Sequence, residues 1–291
     1  MTIRALKNKF ENELSSIYSK SEIDTIFFVL AEKLLHRKKA IIRSGMDEEW
    51  SEISSAQLHF DLALNDLKMG KPYQYVIGET EFLGERIFVN PSVLIPRPET
   101  EELAEWIIND FTSLHNPFNG NILDIGTGSG VLAISLKKAF PNAVVHAIDI
   151  SDDALEVARN NSLYNQTPIN FHQKDILKSD LADLPYFDII VSNPPYIPYS
   201  EKDNMQRQVV DFEPEKALFV ADENPTKFYF HISQLAQERL KPKGCVFLEI
   251  HQNFMGEIRE MYEMGFAKVE VRKDISDNWR MLRAQQPYTC G

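Results

Sequence analysis

Cysteine is nearly absent from this chain: of 291 residues only Cys245 and Cys290 are cysteines. Two thiols build neither a disulfide framework nor a zinc cluster, and the seven histidines are scattered, so no metal site is expected. Positive charge is also short. Lys and Arg number 31 against 43 Asp and Glu, a net charge of −12. A broad basic surface for duplex nucleic acid or anionic membrane is therefore not expected. Long apolar runs are missing as well. The longest stretch open to a membrane-spanning reading, 119–136, contains Asp124 and glycines at 120, 126, 128 and 130, which do not suit a spanning helix. The opening MTIRALKNKFENELSSIYSK lacks the apolar core of a signal peptide. What is present, 43% hydrophobic and 25% charged residues, is ordinary for a globular protein. The expectation is a reduced, soluble, cytoplasmic chain with one large domain or two smaller ones.

Three regions differ in pattern. Residues 1–70 read as helical. Ser21-Glu22-Ile23-Asp24 resembles a capping box, and Ile23, Ile26, Phe27, Leu30 and Leu34 follow at helical spacing. Trp50, Ile53, Phe60, Leu64 and Leu67 form a second stripe that ends at Gly70-Lys71-Pro72. Neither stripe carries a chemical group, so a small bundle with a structural or recruiting role is expected. Residues 71–98 read as a hairpin, with Gly84 near its turn, followed by the proline-rich PSVLIPRPET. Such a segment holds two domains at a set distance. From residue 99 to 291 strands and helices alternate, as in a parallel sheet with covering helices. The pattern predicts strands near 121–125, 143–148, 168–173, 187–192, 244–250, 266–272 and 279–285. It predicts helices near 99–110, 130–140, 152–164, 226–240 and 253–264.

The first of these strands runs into Gly126-Thr127-Gly128-Ser129-Gly130 and then a helix. Glycines there permit a tight turn and close approach of a ligand to backbone beside a helix N-terminus. The spacing is GxGxG, not the GxGxxG of dinucleotide-binding oxidoreductases, and a purely structural turn also accounts for it. The next strand ends in Asp149, where a carboxylate can accept from both ribose hydroxyls or serve as a helix cap; Ser151 and Asp152 are better caps. The third leads to Asp175-Ile176, placed to meet an adenine amino group and cover its ring, or to be an ordinary loop. Together these strand ends outline an adenosine-shaped pocket at the carboxyl edge of the sheet.

The fourth strand, Phe187 to Val191, stops in Asn193-Pro194-Pro195-Tyr196. Proline lacks the N–H a strand needs and keeps the preceding residue extended. The Asn193 side-chain oxygen and the Pro194 carbonyl are two acceptors held rigidly together, which suits a planar NH2 group. Tyr196 can lie against a flat amide or base. A catalytic role is read for Asn193, Pro194 and Tyr196, with Pro195 completing the substrate-binding turn.

These parts resemble the S-adenosylmethionine-dependent amino-methyltransferases that carry an Asn/Asp-Pro-Pro-Tyr motif. More specifically, the chain resembles the HemK/PrmC family of protein-(glutamine-N5) methyltransferases. The resemblance rests on Gln74-Tyr75-Val76-Ile77-Gly78 with Glu81-Phe82, on Val93-Leu94-Ile95-Pro96-Arg97-Pro98-Glu99-Thr100-Glu101, on Asp124 to Gly130 and on Asn193 to Ile197. Phe212-Glu213-Pro214 with Ala217-Leu218, Leu240-Lys241-Pro242 and Glu249-Ile250 continue it. VADENPTKF after Leu218, and His251 where the family usually has glycine, depart from the pattern. The resemblance implies an α/β fold: a Rossmann-like, seven-stranded class I methyltransferase domain preceded by a small all-α domain and a β-hairpin linker. It implies S-adenosyl-L-methionine as cofactor, contacted by Gly126, Thr127, Gly128, Ser129, Gly130, Asp149, Asp175, Ile176 and Asn193. It implies a substrate, the glutamine of the Gly-Gly-Gln loop in class 1 peptide chain release factors, with no direct DNA binding and no membrane. A nucleic-acid adenine methyltransferase shares the Asn-Pro-Pro-Tyr motif but calls for a basic recognition patch. A non-catalytic cofactor-binding adaptor would not need two acceptors aimed at an amine.

Overall fold

The computed structural model describes residues 1–113, 117–178 and 181–287; Cys290 lies outside the described residues. The chain divides into two compact units. One is Met1–Glu79 with Gln206–Phe212, and the other is Thr80–Met205 with the chain from Glu213 onward.

The first unit holds α1 (Ile3–Leu14), α2 (Lys20–Leu35), α3 (Lys39–Ser44), α4 (Ser51–Lys68) and α5 (Tyr73–Ile77). Its core is built from Leu6 and Phe10 of α1, Ile23, Phe27 and Leu30 of α2, and Phe60, Leu64 and Leu67 of α4. Phe10 meets the rings of Phe27 and Phe60 edge-on, at 5.5 and 6.3 Å. Burying each such side chain contributes about 1.5–3 kcal/mol before entropy is counted. Two local features differ from the sequence expectation. The capping box is Ser19 with Glu22, two residues before the expected Ser21 with Asp24. Its reciprocal bonds run from the Glu22 N–H to the Ser19 hydroxyl and from the Ser19 N–H to the Glu22 carboxylate. Tyr73–Ile77 is helical rather than part of the hairpin. The Pro72 carbonyl accepts from the Tyr75 and Val76 N–H groups, and Gly78 (φ +80°) ends the turn in the left-handed region.

The hairpin proper is β1 (Glu79–Phe82) and β2 (Glu85–Phe88). Its two-residue turn places Leu83 at φ +47° and Gly84 at φ +77°, the handedness that matches strand twist. The next helix, α6 (Pro98–Phe111), starts with proline in its first turn, where the missing N–H costs nothing. The remaining elements alternate: β3 (Asn121–Ile125), α7 (Val131–Ala139), β4 (Val144–Asp149), α8 (Asp152–Tyr164), β5 (Asn170–Gln173), β6 (Phe187–Ser192) and β7 (Ile197–Pro198). After these come α9 (Arg207–Phe212, in the helical unit), α10 (Glu215–Leu218), β8 (Phe219–Val220), α11 (Lys227–Arg239), β9 (Leu240–Glu249), α12 (Met255–Gly265), β10 (Phe266–Lys273) and β11 (Trp279–Pro287).

Seven strands form one sheet in the order β10-β11-β9-β6-β3-β4-β5. Strands β5, β4, β3, β6 and β9 are mutually parallel; β11 runs antiparallel to both β9 and β10. In strand β6 the run Ile189, Ile190 and Val191 is apolar without alternation and, with Phe187, fully buried, as suits a sheet covered on both faces, while Asp188 near its start is half-buried. From β3 the chain continues to β4 and β5 on one side, then crosses to β6 and β9 on the other. The carboxyl ends of β3 and β6 therefore flank the crevice where open α/β sheets hold ligands.

Candidate active site

Asp124, in β3, is 1% exposed and lies beneath the glycine turn. Its Oδ2 accepts from the Thr127 hydroxyl at 2.6 Å and the Ala133 N–H at 3.3 Å, whereas Oδ1 is buried with no partner. Burial pushes its carboxyl up to about 7, against the pull of those bonds. Gly126 and Gly128 take φ +69° and +54°, and a side-chain carbon at either would meet no atom within 4 Å. Their open faces form a cradle. Gly130 also has a positive φ, +87°, and a Cβ there would in addition crowd Ala158 and Ile134 at 3.2 and 3.3 Å, so it lets α7 approach α8. The turn is pinned from below, because the Gly126 and Thr127 N–H groups donate to the Ile148 carbonyl. The Ser129 carbonyl accepts from the Asn161 amide at 2.9 Å. An orphaned buried oxygen and an open cradle fit a cationic, nucleoside-bearing cofactor.

Asp149 ends β4, half-buried, and accepts at 2.9 Å from both the Gly128 and Ser151 N–H groups. Ser151 supplies the α8 cap, as its hydroxyl accepts from Ala154. Asp149 is thus also a latch on the glycine turn, which the sequence did not disclose. Burial raises its carboxyl above the ordinary range, opposed by these backbone bonds. Asp175 and Ile176 lie just past β5. Asp175 accepts from the Leu177 N–H at 2.9 Å, and Ile176 packs on the sheet core.

Pairing of Ile125 with Ser192 sets the ends of β3 and β6 side by side, and the Ser192 hydroxyl donates to the Ile125 carbonyl at 2.8 Å. Gly126 and Asn193 therefore leave the sheet as neighbours. Pro194 is buried; Asn193, Pro195 and Tyr196 are half-buried. Just behind the turn, β7 pairs with β8, Ile197 against Phe219 and Pro198 against Val220. The divergent VADENPTKF starts in that strand, and Asp222 within it accepts from both the N–H and the hydroxyl of Ser200.

A buried polar chain backs the turn. Asn193 Nδ2 donates to the Thr100 hydroxyl at 3.0 Å, and Thr100 donates to Glu249 Oε2 at 2.7 Å. The Tyr196 hydroxyl donates to Glu249 Oε1 at 2.9 Å. Glu249, the last residue of β9, is 1% exposed. Burial raises its carboxyl, while the Thr100 and Tyr196 bonds and the Arg280 charge oppose that rise. Burial, with the Glu249 charge, holds the Tyr196 phenol well above its usual range, so it remains a donor. His251 sets its ring edge-on to Tyr196 at 5.7 Å and its Nε2 lies 3.2 Å from Glu201. Thr100 and Glu249 are not among the site residues expected from the sequence. The available signal was a carboxylate closing the apolar run of β9, since a buried charge needs partners.

Residues 106–212 match the family "Methyltransferase small domain". The chain is 41% identical over 284 residues to a release factor glutamine methyltransferase of Flavobacterium psychrophilum, covering 97% of this chain and 99% of that protein. It is 39% identical to the protein of the same name from Bacteroides thetaiotaomicron, over 94% and 96% of the two chains. Among solved structures, a methyltransferase from Pyrococcus furiosus superposes with a TM-score of 0.52 at 20% identity, covering 81% of this chain and 100% of that one. A Thermus thermophilus 16S rRNA N2 G1207 methyltransferase, in complex with AdoMet and guanosine, gives 0.53 at 19% identity over 72% of this chain and 49% of its own.

Proposed function

The chain belongs to the release factor glutamine methyltransferase family, and we propose that its Asn193–Tyr196 turn holds the reacting glutamine amide. The enzyme methylates the side-chain amide nitrogen of a release-factor glutamine with S-adenosyl-L-methionine. Gly126, Thr127, Gly128, Ser129 and Gly130 would cradle that cofactor, Asp149 its ribose, Asp175 and Ile176 its base, with Asn193 at its reactive end. When bound it supplies a methyl group on a positively charged sulfur.

An amide nitrogen is a poor nucleophile because its lone pair is delocalised into the carbonyl. Asn193 Oδ1 and the Pro194 carbonyl accept its two N–H protons. That pairing biases the nitrogen toward tetrahedral geometry and aims the lone pair at the electrophile. Tyr196 lies against the flat amide, and the prolines keep both acceptors in place, so little reorganisation is needed. As the new N–C bond forms, the bond from the methyl group to sulfur would break with its electron pair staying on sulfur, and the surplus N–H proton passes to water by way of the acceptors it faces, Asn193 Oδ1 or the Pro194 carbonyl, so the amide is neutral again.

The observation that carries this reading is the register of Ile125 with Ser192, which sets the glycine cradle beside Asn193. The acceptor proposed is the glutamine of the Gly-Gly-Gln loop in class 1 release factors, with the cytoplasm as the compartment. A glycine-flanked glutamine enters the turn without disturbing its own fold. A duplex adenine would first be flipped out, at a cost of about a few kcal/mol that basic contacts usually offset. A net charge of −12 offers little for that. Incubation with labelled cofactor, whole release factor and DNA in one assay decides it. Label is expected on the loop glutamine, verified by mass spectrometry, and absent after Gln→Ala in that loop. Label on DNA alone, or label surviving the loop substitution, overturns the proposal.

A further inference from the structure

We infer that Thr100 and Glu249 are positioning residues: the buried carboxylate, acting through the threonine hydroxyl, fixes which end of the Asn193 amide faces the reacting nitrogen. A hydroxyl has one proton to give. Thr100 gives its proton to Glu249 Oε2, so toward Asn193 it can only accept. The Asn193 atom 3.0 Å away must therefore be Nδ2, and Oδ1 is the end left free. A reversed amide would set Oδ1 against the lone pairs of Thr100. It would also present NH2 to a glutamine NH2, donor facing donor.

The second carboxylate oxygen takes the Tyr196 proton, so one buried group orders both side chains of the turn. The fold delivers all parties to one place. Ser192 pairs with Leu248, so Asn193 and Glu249 are the next residues on neighbouring strands. Thr100 comes from the first turn of α6, within the IPRPETE stretch to which no chemistry had been assigned. A buried carboxylate is a poor choice for stability alone, since apolar packing serves as well. Holding the polarity of an amide is a task that apolar packing cannot perform.

The inference rests on the assignment of Asn193 to the glutamine amide, and its test separates the two. In the full-length protein, Thr100→Val removes the hydroxyl with little change of shape, and Thr100→Ser restores it. Thr100→Val should lower kcat about ten- to a hundredfold, the scale of losing one preorganised polar group. Cofactor affinity by calorimetry should stay as in wild type, and Thr100→Ser should recover most of kcat. In an Asn193→Ala background Thr100→Val should cost nothing further, because it acts only through Asn193. In 15N spectra of the ligand-free protein, the Asn193 side-chain NH2, identified by its absence from Asn193→Ala, should exchange with water more slowly in wild type and Thr100→Ser than in Thr100→Val. Wild-type kcat in Thr100→Val, additive losses in the double variant, or exchange unchanged by the valine each overturn the inference. Normal turnover by Asn193→Ala would instead overturn the functional reading, while the exchange data still report the contact. Should Thr100→Val not fold, Glu249→Gln serves in its place. The carboxamide puts an NH2 donor where one carboxylate oxygen stood, so either Thr100 or Tyr196 meets a donor instead of an acceptor, and kcat should fall about tenfold or more; unchanged kcat there sinks the inference.

Discussion

A carboxyl group with one oxygen satisfied and the other buried without a partner favours its neutral form, and Asp124 is such a group. Its folded value of about 7 lies above the ordinary 3.8. A raised acid contributes stability below its unfolded value and loses it as pH rises toward the folded one. The ligand-free protein should thus be weakened at Asp124 as pH climbs from about 4 to 7. Asp124→Asn does not titrate, so its stability relative to wild type should rise between pH 5 and 8, by on the order of 2 kcal/mol. Urea melts of both proteins at the two pH values check this, and a pH-independent difference would show Asp124 ionised throughout. At the reaction centre, Asn193→Ala should change cofactor affinity little, because Asn193 meets the cofactor only at its reactive end, and should lower turnover roughly a hundredfold or more. Single-turnover rates with saturating cofactor measure it, and near-normal rates would remove Asn193 from the chemistry. Asp149→Ala should do the reverse. It deletes charged acceptors for ribose and frees the Gly128 and Ser151 N–H groups, a loss of about 1.5–3 kcal/mol. Cofactor affinity should fall roughly ten- to a hundredfold by calorimetry; unchanged affinity would leave Asp149 a latch only.

Elements matter here through what they aim. The proline-rich stretch before α6 is fastened by Glu213, which is 5% exposed. Its carboxylate accepts from the Ile95 N–H at 3.0 Å and from the Arg97 guanidinium at 2.6 Å. That fastening sets the start of α6, and so the place of Thr100. Glu213→Ala strands a backbone donor and an arginine that is about a third exposed and so partly rehydrated. A destabilisation of about 1–3 kcal/mol is expected from denaturant unfolding, together with a kcat loss in the direction of Thr100→Val. Full stability in Glu213→Ala would show that the prolines alone hold the stretch. These joins explain what the sequence disclosed. Strand β6 and its Asn-Pro-Pro-Tyr stop were legible because an apolar run and a proline turn are local signals. The capping box was misplaced by two residues because Ser19 and Ser21 both precede acceptable acids. Tyr73–Ile77 read as strand because aromatic and β-branched residues suit strands, whereas Pro72 and Gly78 bracket a single helical turn. The bond between Thr100 and Glu249 joins residues 149 positions apart, and no local pattern encodes such a pair.

At the scale of the whole molecule the sheet unit contains every group to which chemistry is assigned, and the helical unit contains none. The alternation of strands and helices made the sheet unit readable, since each strand end in a parallel sheet points to the same edge. The membership of Gln206–Phe212 in the helical unit was not readable, because chain order says nothing of which core a late segment joins. A unit with its own apolar core and no reactive group can still raise kcat/KM by binding parts of a protein substrate far from the reacting amide. That role makes a distinction between substrates. A short glycine-flanked glutamine peptide presents only the reacting group, whereas an intact release factor presents remote surface as well. A chain lacking residues 1–78 should therefore bind cofactor as before and methylate the short peptide at close to the full-length rate. On intact release factor its kcat/KM should fall about tenfold or more, equivalent to about 1.4 kcal/mol of lost remote binding. Parallel losses on both substrates would mean that the helical unit supports the site itself, and equal kcat/KM for truncated and full-length protein on release factor would mean that it recruits nothing.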